Sequence, residues 1–135
     1  MSEVNMDTME FRNTLKKENG FFIVHCKDKK LDTEDIIKNW GEELLAIMDD
    51  PECKYLILSL QDVALISSSA LRYLILGHQK GAELKKPFGV CCINDDIMET
   101  IQMTCLDKFF NIGTDEDDIR KILIKVGEEL EFELT

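Results

Sequence analysis

The 135-residue sequence lacks the segments that would place it in a membrane or in a secretory route. Its longest apolar runs fall far below the roughly 18 residues that a membrane-spanning helix needs. The start, Met1–Asn5, lacks the basic and apolar regions of a signal peptide. We therefore expect a cytoplasmic protein that does not bind a membrane.

Basic residues are also scarce. Lys and Arg number 16 against 27 Asp and Glu, which gives a formal net charge of -11. Nucleic acids and anionic lipids are bound through neutralising Lys and Arg, so this composition disfavours both as partners. A basic protein partner fits the charge better, although an acidic surface also serves solubility alone.

Motifs for catalysis and for cofactors are missing as well. The sequence has no Walker loop, no Gly-x-Gly-x-x-Gly, no Gly-x-Ser-x-Gly and no Cys-x-x-Cys. The odd number of cysteines, without metal-ligand spacing, predicts neither a disulfide framework nor a metal site; they are Cys26, Cys53, Cys91, Cys92 and Cys105. As strand neighbours, Cys91 and Cys92 should point to opposite faces and be poorly placed to act together. We expect no enzyme and no cofactor.

What the sequence does contain is an alternation of strand and helix patterns. Apolar runs of strand length occupy residues 21–26, 55–60, 88–93 and 109–112, after an edge strand at 10–17. We predict one α/β domain over residues 10–135, with a mixed, mainly parallel sheet of four to five strands and about four helices in the order β-β-α-β-α-β-α-β-α. Residues 1–9 are predicted to be a disordered terminus.

Several single positions follow from these patterns. In the edge strand, alternation points Phe11, Asn13 and Leu15 inward. Asp32 can cap the first helix, and the third helix should turn Cys105 inward. Both histidines, one in a strand and one on an inward helix face, are interpreted as structural.

The best functional candidate is the serine triplet Ser67-Ser68-Ser69, which follows the connector Gln61–Ile66 and opens a helix. The first backbone N–H groups of a helix have no internal partner and, with the helix dipole, favour an anion. A phosphate carried by a serine there would be such an anion. Serine is also a common helix cap, so both interpretations stay open.

This segment resembles the STAS domain of bacterial anti-sigma-factor antagonists, over about residues 10–130. The resemblance rests on the strand, the short loop with two apolar residues at its end, the serine cluster and its helix, then Gly81-Ala82-Glu83-Leu84, the strand Gly89–Ile93 and Leu106-Asp107-Lys108-Phe109-Phe110. The family's Asp-Ser-Ser-Gly-Leu falls on Ser67–Leu71, which implies Ser68 as the phosphorylated residue, with Ser67 and Ser69 as the other candidates. Family acids are absent at Ser67 and Ser59, and Ala70 replaces the glycine.

The resemblance implies a regulatory module that binds a serine-kinase anti-sigma factor and so frees a sigma factor for transcription. The kinase would phosphorylate the serine with its own ATP, a protein phosphatase would restore binding, and a weak homodimer is left open. The implied partner-binding residues are Asp32, Asp62, Val63, Ala64, Leu65, Ile66, Ser67, Ser68, Ser69 and Arg72.

Two other interpretations stay open. Ser67 and Ala70, which depart from the family pattern, predict a scaffold whose serines are never modified. A different class, a small α/β enzyme or ligand-binding domain, would use the mouth above the central strand, where open α/β sheets often bind ligands.

Overall fold

The computed structural model describes residues 13–134, with side chains through residue 130. The prediction of a disordered terminus at residues 1–9, and that of an inward Phe11, lie outside the described residues. Within the described part of the chain, none of the helices combines the length and the apolar character that a membrane span requires.

In the described part of the chain, five strands form the central sheet: β1 (Asn13–Glu18), β2 (Phe21–Cys26), β4 (Tyr55–Ser59), β6 (Phe88–Cys91) and β7 (Asn111–Gly113). Their spatial order is β1-β2-β4-β6-β7. The β1–β2 pair is antiparallel and the other pairs are parallel. This confirms the predicted mixed, mainly parallel sheet, and β4 lies at its centre.

The β1–β2 hairpin turns at Asn19 and Gly20, whose φ angles of 51° and 87° are the positive values that a two-residue hairpin turn favours. Asn13 is buried, and its side-chain amide donates to Oε1 of Glu43 at 3.0 Å. The inward prediction for Leu15 is wrong, since this side chain is 39% exposed. β1 is an edge strand of the sheet, and every residue of it after Asn13 is exposed.

A second, two-stranded sheet was not predicted. It pairs β3 (Lys30–Leu31) with β5 (Leu65–Ile66) in parallel. Each strand has only two residues, so neither leaves a periodic pattern in the sequence.

Within the described residues the helices are α1 (Glu34–Ile47), α2 (Ser68–Leu84), α3 (Asp95–Met103) and α4 (Glu116–Leu134), with a short 3-10 turn at Leu106–Lys108. The cap of α1 is Thr33, so the predicted cap at Asp32 is wrong. The chain stays extended through β3 and enters the helix two residues after it.

Cys105 is exposed, so the prediction that it points inward is wrong. Helix α3 has ended before this residue, and Cys105 turns the chain with a φ of 61°.

The sheet separates two apolar clusters. The larger one includes Trp40 of α1 and Leu74 of α2, packed against Leu56 and Leu58 of β4. The smaller one places α4 on the opposite face, where Ile57 of β4 lies. Successive residues of a strand point to opposite faces of the sheet, so Leu56 and Leu58 pack against α1 and α2 while Ile57 packs against α4. Each large side chain that is fully buried stabilises the folded state by about 1.5–3 kcal/mol.

Candidate functional site

The serine loop, residues 60–67, runs from the end of β4 to the start of α2. The second sheet holds it from one side, since the backbone N–H of Ala64 donates to the carbonyl of Lys29 at 2.7 Å. The N–H of Ser67 likewise donates to the carbonyl of Leu31 at 2.9 Å. The loop is thus tied to the segment that leads into α1.

Asn94 holds the serine loop from the other side. Its side-chain amide donates to the carbonyls of Val63 and Ala64, each at 3.1 Å. The other end of the same side chain, Oδ1, accepts from the N–H of Ile97 at 2.8 Å and caps α3. The contact with the loop joins segments about thirty residues apart, so no local sequence pattern predicts it.

A third tie joins the serine loop to the end of β2. The Nε2–H of His25 donates to Oδ2 of Asp62 at 2.7 Å, and both side chains are partly open to solvent. The sequence predicts a structural role for His25 and a place on the partner surface for Asp62. The structure brings the two together.

The three serines have different surroundings. Ser67 caps α2, and its Oγ accepts from the N–H of Ala70 at 3.4 Å. Ser68 and Ser69 begin the helix and are exposed. Their backbone N–H groups have no acceptor inside the helix, so the positive end of the α2 dipole lies beside two accessible hydroxyls.

Most of the other predicted binding residues are exposed, as Ser68 and Ser69 are. We call the exposed set the serine face; it consists of Asp32, Asp62, Ala64, Leu65, Ser68, Ser69 and Arg72. Leu65, 47% exposed, is its large apolar side chain. Val63 and Ile66 are buried, at 2% and 7% exposure, so their side chains anchor the loop in the core and offer a partner no surface.

An open groove of about 560 Å³ begins beside the serine face and runs between α1 and α2. Asp35 and Lys38 line it from α1, and Ser69, Arg72 and Tyr73 line it from α2. Its lining comes from the two helices and not from the mouth above β4, where open α/β sheets often bind ligands. Within residues 13–134, no three His, Cys, Asp or Glu side chains are grouped so that they could hold a metal ion.

The prediction that Cys91 and Cys92 lie on opposite faces is wrong. Their Sγ atoms are 3.6 Å apart, because β6 ends at Cys91 and Cys92 has a left-handed backbone with a φ of 60°. Burial, followed by the neighbouring Cys92, raises the pKa of the Cys91 thiol. Side chains alternate between the two faces only within a strand. The sequence pattern does not predict that β6 ends at Cys91.

Solved structures of anti-sigma-factor antagonists share this fold. A candidate antagonist from Thermotoga maritima has a TM-score of 0.72 at 14% identity, with 82% of this chain and 93% of that one covered. An antagonist from Mycobacterium paratuberculosis has a TM-score of 0.71 at 22% identity, covering 82% and 92%. A variant of RsbS from Moorella thermoacetica has a TM-score of 0.70 at 18% identity, covering 87% and 98%. A comparison with curated proteins gave no match.

The sequence model of the STAS domain matches residues 13–119, from β1 into α4. The chain therefore belongs to the STAS domain family, and the resemblance seen in its sequence is confirmed.

Proposed function

We propose that this STAS domain is an anti-sigma-factor antagonist, a regulatory module that binds a serine-kinase anti-sigma factor through the serine face. The observation that carries the proposal is the exposed hydroxyl of Ser68 at the first position of α2. Ser67 is occupied as the helix cap. Ser68 is therefore free for a second use.

Phosphate on Ser68 would switch binding without disturbing the fold. It adds a charge of roughly -1.5 to -2 and three acceptor oxygens at an exposed helix start. Within the domain, the helix dipole stabilises a surface charge there by about 0.3–1 kcal/mol. A partner packed over Leu65 and Ala64 would have to desolvate or pair the same charge, so phosphorylation weakens the complex.

The chain in this proposal is a substrate and a binding partner rather than an enzyme. The kinase supplies the ATP, a protein phosphatase removes the phosphate, and this domain needs no cofactor of its own. The contacts of the serines support this role. Ser67 Oγ accepts a hydrogen bond as the helix cap, and within the described residues His25 is bonded to Asp62 and not to a serine, so the triplet lacks the base of a hydrolase.

The test is a labelling and binding assay with a serine-kinase anti-sigma factor and ATP. We expect Ser68→Ala to bind like the wild type and to incorporate no phosphate. Ser68→Asp should bind at least about tenfold more weakly, a loss of about 1.4 kcal/mol or more. Ser69→Ala is the matched control, because Ser69 is the next residue and equally exposed, and it should be labelled as the wild type is.

Equal labelling and equal binding of the wild type and Ser68→Ala would reject the switch at this residue. Labelling that disappears only in Ser69→Ala would move the site by one position along α2.

A second candidate is a scaffold that binds through the same face and is never phosphorylated. The observation that favours it is Ser67 in place of the family's acid, since the cap hydroxyl cannot help to deprotonate Ser68 as a carboxylate would. Ala70, in place of the family's glycine, is fully buried. Mass spectrometry of the protein from its host separates the two candidates, because repeated absence of phosphate across growth conditions favours the scaffold.

A further inference from the structure

The Cys91–Cys92 pair lies outside the serine face and is not used in the proposed switch. The side chain of Cys91 is fully buried at the end of β6, whereas that of Cys92 is half-buried and reaches solvent. The Cys92 thiol donates toward Cys91 Sγ at 3.6 Å. Neither thiol is part of a disulfide.

The two thiols are suited to different steps of an oxidation. The thiolate is the reactive form of cysteine, and susceptibility follows thiolate character and exposure. Cys91 is buried and Cys92 reaches solvent, so an oxidant from solvent meets Cys92 first. Burial, and then the neighbouring Cys92, raises the pKa of the Cys91 thiol and slows its attack, so the second step depends on the short Sγ–Sγ distance of 3.6 Å. Cys91 then lies within reach as the second thiol, shielded from other reactants.

The backbone around this pair also holds the serine loop. The carbonyl of Cys91 accepts from the N–H of Leu60, the first residue of the loop, at 3.1 Å. Asn94, two residues after Cys92, donates to the carbonyls of Val63 and Ala64. A change of backbone angles at Cys91 or Cys92 therefore acts directly on the loop that carries the serines.

We propose that Cys91 and Cys92 form a redox modification site, at which a hydroperoxide closes a disulfide between them and loosens the serine loop. Cys92 Sγ first attacks the O–O bond, forming an S–O bond and a sulfenic acid while one water, or the alcohol of an organic peroxide, leaves. Cys91 Sγ then attacks Cys92 Sγ. The S–S bond forms, the S–O bond breaks, and hydroxide leaves with the thiol proton as water, so the thiols lose the two electrons that the peroxide gains.

Closing this ring requires the backbone to move. Adjacent Cα atoms are about 3.8 Å apart across a trans peptide, whereas disulfides usually join Cα atoms at least about 4.4 Å apart. The peptide bond fixes that Cα–Cα distance, so the Sγ atoms can close from 3.6 Å to about 2.05 Å only by rotation about the bonds that flank the peptide and about both side chains. Rotating the peptide plane turns the Cys91 carbonyl away from Leu60. Strained disulfides are more easily reduced, so the modification is reversible by thiols.

The experiment treats the full chain with hydrogen peroxide, blocks the remaining thiols with N-ethylmaleimide in denaturant and measures the intact mass. The wild type and Cys105→Ser, which removes the exposed thiol outside the pair, should each lose two blocked thiols and regain them after dithiothreitol. Peptide mapping should place the disulfide at Cys91 and Cys92. In the Cys105→Ser background, Cys92→Ser should form no disulfide, and Cys91→Ala should stop at a sulfenic acid that dimedone traps at Cys92.

Amide hydrogen exchange tests the link to the serine loop in the same samples. Oxidation should speed exchange at Leu60 by about tenfold, the effect of losing roughly one hydrogen bond, and dithiothreitol should reverse it. A disulfide that maps to other cysteines, or Cys92 oxidised to the sulfinic acid while Cys91 stays free, would overturn the modification site. A Cys91–Cys92 disulfide with unchanged exchange at residues 60–67 would overturn the link.

Discussion

Asn94 performs two structural tasks with one side chain. Its oxygen caps α3 and its nitrogen holds two carbonyls of the serine loop. An asparagine supplies both an acceptor and a donor, whereas aspartate would supply acceptors only. The position of the loop therefore depends on the amide as well as on the cap.

We expect Asn94→Ala to lower the free energy of unfolding by about 2–3 kcal/mol, because it removes a helix cap and leaves two carbonyls unpaired. Asn94→Asp is the comparison variant, since it keeps the cap acceptor, loses both donors and brings a carboxylate oxygen toward the Val63 and Ala64 carbonyls. It should cost about 1–2 kcal/mol and speed amide exchange in residues 60–67. Urea unfolding measures the free energy, and wild-type stability of Asn94→Asp would show that the contacts with the loop contribute nothing.

The α1–α2 contact depends on a glycine inside α1. A Cβ atom added at Gly41 would lie 2.3 Å from the ring of Tyr73 on α2, far inside van der Waals contact. Gly77, inside α2, differs, since its nearest neighbour is the ring of Phe88 at 3.4 Å. Both glycines lie in helix interiors, so replacing either with alanine changes helix propensity in the same way. A difference in stability between the two variants would therefore report the close packing at Gly41.

We expect Gly41→Ala to destabilise the domain by about 1–3 kcal/mol, as overpacking does. Gly77→Ala should be neutral or stabilising by up to about 1 kcal/mol, since alanine is the better helix former and finds room there. Thermal and urea unfolding of the two variants provide the measurement. Equal destabilisation by both would mean that backbone conformation, and not the Tyr73 ring, requires the glycine in α1.

Local patterns predicted the long elements and failed where contacts between distant residues decide. The run at residues 21–26 became β2, and the serine triplet began α2, because burial and capping act within a few residues. β3 and β5 were missed, since two residues cannot show a period. The Asn94 contact was missed because it joins segments about thirty residues apart. The sequence could therefore identify the serines as a candidate site, but not how their loop is held.

Negative charge is unevenly distributed over the whole molecule. Of the net charge of -11, residues 94–135 carry -8, from 12 acids against 4 bases. The chain that forms α3 and α4 therefore repels itself, and nearby ion pairs such as that of Arg120 with Glu18 offset only a part of this repulsion. Exposed ion pairs contribute little, typically about 0–1 kcal/mol.

We expect the urea unfolding midpoint to rise when sodium chloride is raised from about 10 to 150 mM, because the screening length falls from about 30 to 8 Å. The double variant Glu128→Gln/Glu129→Gln, which removes two exposed charges from α4, should show a smaller rise. A midpoint that falls with salt in the wild type would mean that attractive pairs outweigh the repulsion.

The serine loop is fixed at both ends and in the middle, by the carbonyls of Lys29, Leu31 and Cys91 and by the amide of Asn94. A visiting protein would therefore meet a preorganised surface and would not have to spend binding energy on ordering it. Association should then proceed at an ordinary docking rate, about 10⁵–10⁷ M⁻¹s⁻¹, and the lifetime of the complex would set its affinity.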